Sequence, residues 1–260
     1  MIRPGICSVT FRQLDRRQVV ELVRHAGLEA IEWGGDVHVP PENLSAAQEA
    51  RRLTQENGLT VSSYGSYYKV LNPDGTAQPF EPILETALAL GTDTIRIWSG
   101  ERPSATADKE YREKFAALLR PSLDLAAGQG VRLALEFHSN SLTDDNATAQ
   151  QLLDEVNHPG LYLYWQPMYW VNDPVYCLKG LEALRERILN LHVFNWRLPS
   201  PGARAERLPL KDGADDWLSW FSVKMNPDLP HFALLEFVRA DSPEQFLEDA
   251  AVLKQMIKQI

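Results

Sequence analysis

The segment VRLALEFHSNSLTDDNATAQQLLDEVNHPGLYLYWQ (131–166) holds a complete pattern: an apolar run of strand length, a stretch with helical spacing, and a second apolar run. The runs are VRLALEFH (131–138) and GLYLYWQ (160–166), and DDNATAQQLLDEV (144–156) lies between them. Working outward, the same alternation recurs. GICSVTF (5–11), EAIEWGG (29–35), LTVSSYG (59–65) and DTIRIWSG (93–100) precede it, and ILNLHVFNW (188–196) and HFALLEFV (231–238) follow, giving eight candidate strands. Helical spacing fills 15–27, 45–58, 79–91, 107–130 and 242–259, with shorter patterns near 174–187 and 214–225. Gly27, Gly58, Gly91 and Gly130 stand where a left-handed residue ends a helix, and Asp15, Ser45 and Ser242 stand where a side chain caps its start. Strict alternation with apolar strands predicts a parallel sheet covered by helices, and eight units predict closure into a (β/α)8 TIM barrel. No composition shift or linker divides the chain, so residues 1–260 are read as one domain.

Composition narrows the function. Lys and Arg total 26 against 35 Asp and Glu, a net charge of −9 that repels phosphate backbones and anionic membranes. Nucleic-acid and membrane-surface roles are therefore excluded. Only Cys7 and Cys177 occur, too few for a disulfide framework or a thiolate zinc site, which fits a reducing cytoplasm. The first residues, MIRPGICSVTF, lack a signal-peptide core, and no run of roughly eighteen apolar residues suggests a membrane span.

Active sites of such barrels lie at the carboxyl ends of the strands. The fifth strand is read as ending in Glu136 with His138 two residues on, the sixth in Gln166, the seventh as carrying His192, and the eighth as ending in Glu236. A carboxylate among Leu, Ala and Phe is costly to bury unless a cation or hydrogen bonds compensate it. Two glutamates, an imidazole and a carboxamide on four consecutive strands converge on one point and suit a hard-to-borderline divalent ion: Mn²⁺, Co²⁺ or Mg²⁺, with Zn²⁺ also admissible.

The chain resembles the sugar isomerase and epimerase superfamily of xylose isomerase-like TIM barrels. The resemblance is carried by GICSVTF…VVELVRHAGLEAIEWGG, LALEFHSN, LNLHVFNW, RLPLKDGADDW and ALLEFV, in that order along the chain. It implies a divalent metal held by Glu136, Gln166, His192 and Glu236. The second ligand departs from the family pattern, since relatives such as ketose 3-epimerases and inosose dehydratase carry Asp where this chain has Gln166. Tyr169 likewise stands where ketose epimerases often place a substrate-contacting His. The implied activity is isomerisation or epimerisation of a small sugar or polyol-derived ketone through an enediolate, with Glu136 and Glu236 moving the proton. Expulsion of a β-hydroxyl would make the same site a dehydratase. A non-catalytic carbohydrate-binding barrel with a weakened metal site is the reading from a different class. Relatives are often dimers or tetramers, so a homo-oligomer is also implied.

The expected substrate contacts are Glu32, Trp33 and His38 after the second strand, Arg96 and Trp98 on the fourth, His138, Tyr169, and Asn195 and Arg197 after the seventh. Trp165, Trp170 and Trp196 are expected beside them as sugar-stacking platforms. Schiff-base chemistry is set aside because Lys69, Lys179 and Lys211 all lie away from strand ends. An apurinic-site nuclease of similar fold needs many zinc-binding histidines, whereas this chain has six in all, with His25 and His158 at helix ends. The connection 195–213 exceeds an ordinary βα loop and is assigned to the barrel mouth.

Overall fold

The apolar runs become β1 (Ile2–Cys7), β2 (Ala30–Gly34), β3 (Thr60–Gly65), β4 (Thr94–Ile97), β5 (Arg132–Glu136), β6 (Leu161–Trp165) and β7 (Ile188–Val193). Two short strands follow, β8 (Trp196–Arg197) and β9 (Glu206–Arg207), and then β10 (His231–Leu235). In the computed structural model, which describes residues 1–200 and 202–260, all but β8 and β9 close into one barrel in the order β1-β10-β7-β6-β5-β4-β3-β2. Every pairing in that barrel is parallel. Closure joins the two ends of the chain, with Ile2 opposite His231 and Ile6 opposite Leu235. The strands alternate with α1 (Arg16–Ala26), α2 (Leu44–Glu56), α3 (Glu81–Leu90), α4 (Lys109–Ala127), α5 (Asn146–Val156), α6 (Pro174–Leu184), α7 (Ala214–Phe221) and α8 (Pro243–Ile257). The chain folds as a (β/α)8 TIM barrel.

Alternation along each strand divides the apolar residues into two layers. Ile6, Ile31, Trp33, Ile95, Leu133, Leu163 and Leu191 face outward into the layer beneath the helices. Cys7, Ala30, Ala134, Tyr164, Phe232 and Leu234 form a smaller inner plug. The plug is small by necessity at Gly5, where a Cβ would lie 2.5 Å from the Ala30 carbonyl oxygen and 2.7 Å from Leu234 Cδ2. Interior polarity rises toward the carboxyl ends of the strands, where Ser63, Tyr164 and Asn190 join in a chain of hydrogen bonds. Ser63 Oγ lies 2.6 Å from the Tyr164 hydroxyl, to which Asn190 Nδ2 donates at 2.7 Å.

The capping residues behave as their side-chain chemistry requires in two cases of three. Asp15 forms a reciprocal box with Gln18, and Ser242 accepts from the Gln245 amide. Ser45 is not the cap of α2: Asn43 accepts from the Ala46 amide, and Ser45 donates to the Asn43 side chain. The first run also differs from expectation. Its strand starts at Ile2, while Ser8–Phe11 leaves the sheet as a 3-10 turn. The hydroxyls of Ser8 and Thr10 explain the departure, because they accept from the Gly34 and Phe237 amides at 2.8 and 3.0 Å and turn the chain over the mouth. In the long connection, β8 and β9 pair antiparallel and the Leu210–Gly213 turn leads into α7. Pro201 of that connection lies outside the described residues.

Candidate active site

Glu32, Arg96, Glu136, His192 and Glu236 project from β2, β4, β5, β7 and the end of β10 into the barrel, and all are buried. Arg96 bridges two of the carboxylates: Nε donates to Glu32 Oε1 at 3.2 Å and Nη1 to Glu136 Oε2 at 2.6 Å. Glu32 also accepts from Ser63 Oγ at 2.8 Å. Room for this pairing depends on Gly65, whose Cβ would lie 2.6 Å from Glu32 Oε1 and 3.0 Å from Arg96 Nη2. His192 sits among three acids, with Nδ1 at 3.3 Å from Glu136 Oε1 and 3.5 Å from Glu236 Oε2, and Nε2 at 3.4 Å from Glu32 Oε1. Among the described residues neither ring nitrogen finds a hydrogen-bond partner, and Gln166 Oε1 is likewise buried without one. Gln166 Nε2 donates to the Phe137 carbonyl, which fixes which end of the carboxamide is free.

The charges in this cluster separate the glutamates. Burial raises the pKa of any carboxyl, but for Glu32 the nearby Arg96 and His192 charges outweigh it and hold the group far below the usual range. Glu136 is lowered as well, by Arg96 and His192 acting against burial. Glu236 is shifted upward: burial raises it, the Glu136 and Glu32 charges add to the rise, and His192 and Arg96 offset only part. For His192 burial disfavours the cation, yet the surrounding acids raise its pKa well above the ordinary imidazole value. Burial pushes the Cys7 thiol up in turn. Cys7 Sγ, a His192 nitrogen and a Glu236 oxygen all lie within 4.8 Å of one another.

Above these groups a cavity of about 190 Å³ is lined by Val9, Arg12, Tyr67, Arg96, Trp98, Glu136, His138, Gln166, Tyr169, Trp196, Glu236 and Phe237. That is below the roughly 300–1,000 Å³ of drug-sized pockets and suits a single small ring. Trp98 and His138 stack at 4.4 Å to make one wall. The guanidiniums of Arg12 and Arg207 both lie against Phe237, 5.1 and 4.5 Å from its ring centre. Phe237 has a positive φ of 48°, an uncommon backbone state for an aromatic residue, held by the bond from its amide to Thr10.

Residues 20–256 match the model of the xylose isomerase-like TIM barrel family. The chain belongs to this family. It is 25% identical over 256 residues to a 3-dehydroshikimate dehydratase of Bacillus anthracis, with 90% of each chain covered. Its fold superimposes on a probable 3-DHS dehydratase of the same organism with a TM-score of 0.81 at 21% identity, covering 98% of this chain and 99% of that one. A Mycobacterium smegmatis xylose isomerase-like barrel in complex with magnesium gives 0.71 at 15% identity, covering 99% and 97%. D-allulose 3-epimerase from Methylomonas sp. gives 0.70 at 17%, covering 98% of both chains. These superpositions establish the fold.

Within this xylose isomerase-like barrel, the residues expected at the site divide by the face of the strand they occupy. Glu32, Arg96, Glu136, His192 and Glu236 meet at the floor, and Gln166, Trp98, His138, Tyr169 and Trp196 line the cavity above. Trp33 does not line it: as the neighbour of Glu32 it points to the opposite face, and its indole donates to Thr54 of α2. His38 is also outside the cavity, packed edge-on against Trp33 with Nε2 3.0 Å from the Leu14 carbonyl. Asn195 and Arg197 belong to a separate cavity of about 380 Å³ beside the mouth, which Tyr169 and Trp196 also border. There Asn195 donates to the Pro209 carbonyl and Arg197 pairs with Glu206 across the β8–β9 hairpin. Trp165 faces the helices against Trp217 and Trp220, and Trp170 donates to the Asp144 carbonyl. Arg12, Tyr67, Phe237 and Cys7 complete the site without having been expected there. The only sequence signal for Arg12 was its position just past the first apolar run, while Cys7 and Phe237 lay inside apolar runs and read as packing residues.

Among the described residues, no helix is long and apolar enough to cross a membrane.

Proposed function

We propose that the protein is a lyase that dehydrates a small hydroxylated cyclic ketone, abstracting a proton next to the carbonyl and expelling a β-hydroxyl. The observation that carries this reading is the unequal engagement of Glu136 and Glu236. Glu136 is fixed by a 2.6 Å ion pair with Arg96, and its main-chain carbonyl accepts from Thr143 Oγ1. Glu236, at the cavity wall, has no hydrogen-bond donor to its carboxylate among the described residues; His192 Nδ1 lies 3.5 Å away and the Cys7 sulfur within 4.8 Å. Epimerisation needs a proton taken from one face of a carbon and returned to the other, which calls for two free groups. Elimination needs one: Glu236 takes the proton as the C–C double bond forms, then passes it to the departing hydroxyl, which leaves as water. The likeness to a 3-dehydroshikimate dehydratase supports the same choice. The isomerase or epimerase that the sequence favoured is the second reading, supported by the fold it shares with an allulose epimerase.

The donor set suits a divalent ion. Glu136 keeps Oε1 free of Arg96, Gln166 presents an unpartnered Oε1, His192 has two unpartnered nitrogens, and Glu236 has an unengaged carboxylate. We assign these four as the residues that would hold the ion, Glu236 by one carboxylate oxygen while its other oxygen serves as the base; the ion's positive charge, when bound, would steady negative charge building on the substrate carbonyl oxygen. Arg96 keeps Glu136 ionised and in place, and Trp98, His138 and Tyr169 position the ring and exclude water.

The test is to incubate the purified protein with 3-dehydroshikimate and with a panel of ketoses and inososes in D₂O, adding Mn²⁺, Co²⁺ or Mg²⁺. Loss of one water from the acid leaves an aromatic dihydroxybenzoate, visible by ultraviolet absorbance, and Glu236→Gln is expected to slow it at least about 100-fold. Formation of an epimer carrying solvent deuterium, with no loss of water, would replace this reading with the epimerase. No turnover or exchange of any substrate would favour the binding barrel.

A further inference from the structure

Cys7 ends β1 opposite Glu32 of β2, at the base of the ion-binding cluster assigned above. Its sulfur, a His192 nitrogen and a Glu236 oxygen lie within 4.8 Å of one another, and all three residues are buried. His192 is about 1% exposed, and both of its ring nitrogens lack a hydrogen-bond partner among the described residues. Its nitrogens face acids at 3.3–3.5 Å without bonding them, a geometry that an ion held between the imidazole and these neighbours would satisfy. The charge of the donor set points the same way. Gln166 contributes no charge, and Glu136 shares its own with Arg96, so Glu236 is the one carboxylate of the four assigned donors not tied to a guanidinium.

We propose that Cys7 is a further ligand of the ion and that its sulfur makes the site select a thiophilic ion, Zn²⁺ or Co²⁺, over Mg²⁺. A thiolate is a soft donor, and with imidazole and carboxylate it matches the ligand types that zinc and cobalt take, whereas magnesium favours an all-oxygen shell. Coordination breaks the S–H bond and forms the S–metal bond, so the thiol proton is released to solvent as the ion enters. The inference rests on the ion-binding reading given under the proposed function.

Cobalt separates the two. The full chain, its Cys7→Ser and its Cys177→Ser variants are loaded with Co²⁺ and their spectra recorded, with bound cobalt measured by elemental analysis. The expected result is an intense near-ultraviolet sulfur-to-cobalt band in the wild type and in Cys177→Ser. That band is lost in Cys7→Ser, which keeps weaker visible cobalt bands. Competition is expected to show Zn²⁺ displacing bound cobalt while excess Mg²⁺ does not. Bound cobalt with no sulfur band in the wild type overturns the role of Cys7 and leaves the ion site standing, whereas no bound cobalt overturns both. If Cys7→Ser does not fold, the wild-type and Cys177→Ser spectra decide, since Cys177 is buried elsewhere, beside the Met168 amide.

Discussion

Arg96 stands between Glu32 and Glu136 with almost no contact with water. Such a charge is sustained by its partners, and the partners by it. Arg96→Met removes the cation while filling most of its volume, leaving two carboxylates to share His192. The expected cost is about 3–5 kcal/mol, read as a lower urea midpoint with an unchanged slope. Adding Glu32→Gln is expected to recover part of it, because the two changes touch one network. A loss below about 1 kcal/mol for Arg96→Met would mean that His192 alone carries both acids. Arg96, Glu136 and Glu236 were legible in the sequence because a charge inside an apolar strand has few explanations. Trp33 was misplaced for an equally simple reason: it is adjacent to Glu32, and adjacent strand residues face opposite sides of the sheet. Cys7 could not be found from spacing, since a single thiol has no period; the pairing of β1 with β2 is what brings it to the acids.

At the scale of elements, α8 is tied to the end of the long connection by one carboxylate. Asp249 Oδ1 accepts from the Leu210 amide and from Gln245 Nε2, both at 2.9 Å. Burial raises its pKa to about 6, and the two hydrogen bonds offset only part of that. Between the unfolded value near pH 4 and the folded value near 6, the folded chain holds a proton that the unfolded chain has lost. Stability from this group therefore falls as pH rises through that window and is flat above it. The loss is about 2 kcal/mol, allowing for partial access to solvent. Asp249→Asn keeps an acceptor for Leu210 and removes the charge. Its melting temperature is expected to match the wild type near pH 4 and to exceed it near pH 7; a constant offset at every pH would count against the buried charge. The elements themselves were mostly readable. The Ser8–Phe11 turn escaped because its apolar residues are buried as a strand's would be, while the hydroxyls that turn the chain find partners 26 and 227 residues away.

For the molecule as a whole, the barrel closes only when β1 meets β10, the first strand beside the last. Alternation in the sequence predicted that closure, yet the lateral packing that brings β5, β6, β7 and β10 side by side follows from topology. Glu136, Gln166, His192 and Glu236 lie at the ends of those four strands, so an unfolded chain spreads them over 100 residues and presents no site. An ion that they hold must then bind the closed barrel alone and stabilise it by mass action. At 100 times its dissociation constant, Co²⁺ or Zn²⁺ is expected to add about 2.7 kcal/mol, or about 5 °C in melting temperature for a chain of this size. Scanning calorimetry should show one transition that shifts upward, returns with a chelator, and stays still in Glu236→Ala. A shift of equal size in Glu236→Ala would place the ion on the acidic surface. A second transition that moves alone would show that β5 to β10 form a unit that melts apart from the rest of the barrel.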